Sequence, residues 1–170
     1  MGSVRGNETN LSLRKEREVE SRLVYSTLYM DNYEKEVNEN VKRNEKFLLE
    51  FEKYLEDKGL TDKTIEKHVS NMEFFLNDFL NYYEPTKMED GPLEVYTFLS
   101  DWFIRKCMWS SKSSIKEYAA SIKKFYKCMS DNNHISSELY EELCKDIKNN
   151  MDYFLEVMDD YDNEVFSYPF

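Results

Sequence analysis

A chain of 170 residues has room for one sizeable core, and 41% hydrophobic content with 24 Tyr and Phe residues supplies the side chains to fill it. Four Gly and three Pro are too few turn residues for an all-β fold, which favours helices joined by short polar loops. A net charge of −11 argues against nucleic acid, but residues 138–170 alone carry ten acids against two lysines, so the chain before them is close to neutral.

Residues 1–22 are polar with mixed charge and no sustained apolar face, which predicts a mobile arm, extended or in part helical. An apolar cluster follows at Leu23, Val24, Tyr25, Leu28, Tyr29 and Tyr33, placed either to begin the first helix or to pack as an extra element. From about Asn38 a helical period emerges, with Phe47, Leu48, Phe51, Tyr54 and Leu55 on one face. Gly59 is placed to end this helix in the left-handed conformation. Thr61 is the predicted N-cap of a second helix, whose apolar face runs from Ile65 to Tyr83 and closes before Pro85. After a loop at 84–92, a third helix carries Leu93 to Phe103. Serines 110, 111, 113 and 114 break it and cap a fourth, with Ile115, Tyr118, Ala119, Ile122, Phe125, Tyr126 and Met129 inward. Asp131–Asn133 make a turn, and Ser136 opens a fifth helix that reaches Met158. The end, 161–170, reads as an acidic, aromatic tail.

The cap string Thr61-Asp62-Lys63-Thr64-Ile65 is echoed 50 residues later by Ser111-Lys112-Ser113-Ser114-Ile115. Both copies are followed by apolar residues at matching positions. Hydroxyl caps before amphipathic helices are generic, so the echo fits either two unrelated helices or two helical hairpins packed across one another.

With Phe51-Glu52-Lys53-Tyr54-Leu55-Glu56-Asp57-Lys58-Gly59-Leu60 leading into Thr61–Ile65, and Phe75, Phe79 and Leu80 beyond, residues 40–136 resemble the core-binding domain of tyrosine recombinases. That domain is the SAM-like N-terminal part of phage integrases. The resemblance implies an all-α, orthogonal bundle of four to five helices: two crossed helical hairpins, followed here by a C-terminal helix. It further implies a non-catalytic module that grips duplex DNA in a DNA recombination setting. The family's catalytic part has a His-x-x-Arg pair and a nucleophilic tyrosine. Here neither His68 nor His134 begins such a pair, and the 34 residues after Ser136 hold no arginine. No recombinase active site carries over. The expected organisation is an arm (1–22), the core-binding-like domain (23–136), a further helix (137–160) and the tail (161–170).

Lys112, Lys116, Lys123 and Lys127 are spaced by four, seven and four, which sets them on one stripe of the fourth helix, away from its apolar face. Arg105 and Lys106 precede them, and Lys63, Lys67 and Asn71 form a shorter stripe on the second helix. These nine residues are the candidate DNA-binding set, although an ordinary solvated face has the same pattern. The acidic end, with Asp146, Asp152, Glu156, Asp159, Asp160, Asp162 and Glu164, reads as a solubilising tail or as a phosphate mimic folded over the stripe. His134 with Cys128 and Cys144 lacks a paired Cys-x-x-Cys element and a fourth ligand, so no metal site is expected. His68 reads as a core-edge histidine. Trp102, Phe103, Phe74, Phe75, Phe125 and Tyr126 read as core, and Trp109 as an exposed contact.

No Gly-rich phosphate loop or nucleophile motif is present, so neither enzyme activity nor a cofactor is expected. Cys107, Cys128 and Cys144, odd in number and widely spaced, point to a reducing compartment. No apolar run approaches the ~20 residues of a membrane span, and Met1–Asn10 has no signal-peptide core. These features predict a cytoplasmic protein. Net acidity, only Arg43 and Arg105 from residue 40 onward, and the apolar end Val165–Phe170 support the rival reading, a protein-interaction module or self-association through that end.

Overall fold

The structure, a computed structural model, describes the backbone of residues 5–166 and the side-chain environment of residues 17–165. It is 85% helix, and no strand occurs among the described residues. Helix α1 spans Arg5–Asp57 and α2 spans Asp62–Glu73, continuing as a π-helical turn over Phe74–Phe79. A 3-10 turn, Met88–Glu94, leads into α3, built end to end from Val95–Thr97, a π-helical turn Phe98–Trp102 and Phe103–Lys106. Helices α4 (Lys112–Asp131) and α5 (Ser137–Phe166) complete the chain. The chain divides into two compact units, residues 1–38 and 39–170.

The ends of the chain carry more helix than the sequence-based expectation. Residues 5–22, expected as an arm that is extended or in part helical, belong to α1. Residues 161–166, expected as tail, continue α5, and Phe154 and Met158 of that helix are 1% and 2% exposed. Those anchors fix the helix to the core, so its acids stand on a docked surface. Truncation after Asn149 would strip core side chains. The end Ser167–Phe170 lies outside the described residues, and Val165 is exposed.

The predicted stops and starts have local causes. After α1, Gly59 takes φ 74°. Its N–H donates to the Glu56 carbonyl at 2.8 Å, and that of Leu60 donates to the Leu55 carbonyl at 3.2 Å. This is the double bond of a Schellman motif, which satisfies carbonyls the helix leaves open. The same motif ends α4, with Asn133 at φ 60° and bonds from Asn133 to Ser130 and from His134 to Met129. Asn tolerates this conformation because its short polar side chain permits it.

The two echoed caps differ. Ser111 and Ser114 form a reciprocal capping box: the Ser114 N–H donates to Ser111 Oγ at 3.1 Å, and the Ser111 N–H to Ser114 Oγ at 2.8 Å. Thr61 occupies the N-cap position of α2, but its side chain makes no bond to the helix backbone and meets the Thr64 hydroxyl instead. The Leu139 N–H donates to Ser136 Oγ at 3.1 Å, capping α5.

The core of unit 39–170 is aromatic. Phe75, Phe79, Phe98, Trp102, Phe103 and Tyr118 form a chain of ring contacts with centroids 4.6 to 6.0 Å apart. One face of α4, with Ile115, Ala119, Ile122, Phe125, Tyr126 and Met129, is at most 1% exposed. The buried asparagines find partners. Asn40 Nδ2 donates to Asn81 Oδ1 at 3.1 Å, and Asn44 Nδ2 donates to Asn77 Oδ1 at 2.9 Å. Tyr126, fully buried, donates its hydroxyl to the Met88 carbonyl at 2.9 Å. Gly91 makes this approach possible, because a Cβ there would lie 2.0 Å from the Tyr126 oxygen.

The two structural glycines should therefore fail differently. Gly91→Ala forces Tyr126 off its carbonyl and should cost about 1–3 kcal/mol by overpacking. Gly59→Ala meets no neighbour within 4 Å, so its cost of about 1–2 kcal/mol comes from the left-handed backbone alone. Urea unfolding of the Tyr126→Phe background separates them. That change should shrink the penalty at Gly91 and leave the penalty at Gly59 intact.

Candidate anion-binding groove

The amphipathic period of α4 buries one side of the helix and turns Ala120, Lys123, Lys124 and Lys127 outward. Two other elements border that outward strip. The last turn of α1 brings Tyr54 and Lys58, held in place by the Gly59 stop. Helix α5 brings Tyr140, Cys144 and Lys148, spaced one turn apart along one stripe. Together they line an open groove of about 750 Å³. Five lysines from three elements face it, and no carboxylate is among its lining residues.

Each tyrosine lies beneath an ammonium group. Lys58 Nζ is 5.2 Å from the centre of the Tyr54 ring, and Lys127 Nζ is 5.6 Å from that of Tyr140. Lys127 also donates to Asp131 Oδ1 at 2.6 Å, while the Tyr54 hydroxyl donates to Asp131 Oδ2 at 3.2 Å. The bond from Lys127 holds the Asp131 carboxyl below the usual carboxylate range, and that from Tyr54 adds to it. Burial, reinforced by the Asp131 bond, raises the Tyr54 phenol above its ordinary value. Asp131 thus sets the orientation of one lysine and one tyrosine at the rim.

The residues singled out from sequence do not stay together. Lys123 and Lys127 line the groove. Lys67 pairs with Glu117 at 2.7 Å, Arg105 pairs with Asp101 at 2.6 Å, and Lys112 pairs with Asp159 of α5. Lys106 Nζ lies 5.5 Å from the centre of the Tyr82 ring. Asn71 Nδ2 donates to Ser121 Oγ at 3.0 Å. Lys63 and Lys116 carry no ion pair among the described residues. Sequence reasoning missed Lys58, Lys124, Lys148 and both tyrosines. Lys148 had a detectable signal, as one of two cations in an otherwise acidic stretch. Lys58 and the tyrosines had none, because their roles depend on which helices meet.

The other candidates have ordinary structural partners. His68 Nδ1 is 2.8 Å from Ser121 Oγ, at the contact of α2 with α4. Burial lowers the His68 pKa, and Lys124 and Lys67 lower it further. His134 Nε2 meets Glu50 at 3.0 Å and packs edge-on against Phe47. No cluster of metal-ligating side chains occurs among the described residues. Cys107 and Cys128 are buried, which pushes their thiols up to about 11 and about 12. Trp102, Phe103, Phe75, Phe125 and Tyr126 are core, whereas Trp109 is 58% exposed with its edge toward Phe74.

Two measurements follow from this geometry. Because the folded state lowers the His68 pKa, the unfolded chain takes that proton first as pH falls. The His68 contribution is present above the ordinary histidine value of about 6.5 and is lost as pH falls from there toward the lower folded-state value. His68→Gln should flatten the fall in urea-unfolding stability between about pH 7.5 and about pH 5.5. Under native conditions a thiol reagent should modify Cys144 rapidly and the two buried cysteines only after unfolding. Equal rates at all three, read by mass spectrometry, would contradict the burial pattern.

Against known proteins, the chain matches no family model, no curated protein and no solved structure.

Proposed function

We propose that this chain is a non-catalytic module that binds duplex DNA along its phosphate backbone, with the groove between α1, α4 and α5 as the contact surface. One observation carries the reading: five ammonium groups from three separate elements converge on a single groove whose lining holds no carboxylate, Asp131 pairing with Lys127 at its rim. Lysine is a mobile point charge suited to phosphate without base readout. The helical bundle and the paired cap strings at 61–65 and 111–115 support reading residues 40–136 as an orthogonal, recombinase core-binding-like bundle. The contact set shifts accordingly from the α2–α4 stripes to Lys58, Lys123, Lys124, Lys127 and Lys148.

A second reading, a protein-interaction module on the same bundle, rests on the ion pairs. Lys67, Lys112, Arg105 and the groove's own Lys127 already face carboxylates within the bundle, which weakens their attraction for a phosphate.

Fluorescence anisotropy with a labelled generic duplex separates the two. If the five lysines each meet one phosphate, the salt slope should be about −4.5, and affinity should fall by about 500-fold between about 50 and about 200 mM salt. A Lys123→Glu, Lys124→Glu, Lys148→Glu variant should lose binding, while Lys63→Glu, Lys116→Glu, outside the groove, should keep most of it. No binding at low salt would leave the protein-interaction reading standing.

A further inference from the structure

Asp131 sits where a helix gives a carboxylate least support. It is the last residue of α4, and the dipole at that end disfavours negative charge. What holds it comes from the groove. Its Oδ1 accepts from Lys127 Nζ at 2.6 Å, and its Oδ2 accepts from the Tyr54 hydroxyl at 3.2 Å. Lys127 above all, then Tyr54 and the charge of Lys58, keep the carboxyl below the usual carboxylate range. All three side chains line the groove.

An anion held at one oxygen by an ammonium group and at another by a hydroxyl, with a second ammonium group nearby, is in the setting that protein surfaces give a backbone phosphate. The carboxylate thus stands where a phosphate would. Glu50, one turn before Tyr54, has no such place, because Asn132 and His134 engage it. The contact is also easily undone. The Lys127 and Asp131 side chains are 48% and 39% exposed, and an ion pair so open to water is weak. Burial raises the Tyr54 phenol above its ordinary value, so its hydroxyl keeps its proton and remains a donor.

We infer that Asp131 is a resident anion in a phosphate subsite formed by Lys127, Tyr54 and Lys58, and that it lowers the groove's affinity by competing for those donors. The inference rests on the phosphate-binding reading of the groove. An entering phosphate displaces the carboxylate and takes over its two bonds.

Anisotropy with the same labelled duplex tests it. Asp131→Asn keeps the size of the side chain and removes its charge. It should steepen the salt slope by about 0.9, the count of one further phosphate, and tighten binding about eightfold at about 0.1 M salt. Asp160→Asn removes the same charge from an exposed position about 18 Å along α5 from Lys148. At that distance the charge is largely screened, so affinity should change by less than about twofold. In the Asp131→Asn background, Tyr54→Phe should give back part of the gain, whereas in the original chain it should not weaken binding.

An equal gain from Asp160→Asn would overturn the inference, because net charge alone would then account for it. So would a gain at Asp131 that Tyr54→Phe leaves intact. A wild-type chain that binds the duplex with an affinity Asp131→Asn leaves unchanged defeats the inference and spares the groove reading. If neither chain binds at low salt, the groove reading fails and the inference fails with it.

Discussion

Helix α4 lies in two environments along its whole length, and the rest of unit 39–170 is arranged around that division. Its inner face, from Ile115 to Met129, is at most 1% exposed apart from Tyr118 at 7%. Burying each of its larger apolar side chains contributes on the order of 1.5–3 kcal/mol. A helix held that firmly cannot rotate, so its outer positions are fixed in direction as well. Ala120, Lys123, Lys124 and Lys127 stand outward because Ile115, Ile122, Phe125 and Tyr126 stand inward. Tyr126 tightens the constraint further. Its hydroxyl bond to Met88 and the glycine-only gap at Gly91 tie α4 to the 3-10 turn that enters α3.

The groove results from where the neighbouring helices stop. Gly59 ends α1 one residue after Lys58, which leaves that ammonium at the helix C-terminus, where the dipole favours positive charge. Asn133 and the capping hydroxyl of Ser136 reverse the chain so that α5 runs back along α4. Its stripe of Tyr140, Cys144 and Lys148 then meets the α4 lysines. The acids of α5 that sequence assigned to a tail are carried on the same docked helix, and one of them, Asp159, pairs with Lys112 at the far end of α4. The α4 stripe is thus divided: Lys112 is neutralised near the N-terminus of the helix, while Lys123 and Lys124 stand over the groove.

Polar contacts between helices have a separate part. Ser121 is fully buried and accepts Asn71 while sharing a hydrogen bond with His68, so α2 meets α4 through a small polar cluster within an apolar contact. A buried cluster of this kind fixes register when all its members are satisfied. Asn71 was a candidate for phosphate contact by sequence position, and its amide is committed to this cluster instead.

Much of the local structure was legible in sequence because its causes are local. The stop at Gly59, the caps at Ser111 and Ser136, and the inward face of α4 each depend on a few neighbouring residues and a 3.6-residue period. The length of α1 was not legible. Residues 5–22 have no sustained apolar face, and amphipathic period was the signal being read. The end of α5 escaped for a related reason, since its acids resemble a tail until Phe154 and Met158 are seen to anchor it. The nine candidate cationic and polar residues were read helix by helix, and periodicity correctly placed Lys123 and Lys127 on an outward stripe. Periodicity carries no information about which carboxylate from another helix lies opposite. Glu117 beside Lys67, Asp159 beside Lys112, and the meeting of Lys58 with Lys148 across α4 were decided only by tertiary packing, because ion pairs and grooves between helices join residues that are distant in sequence.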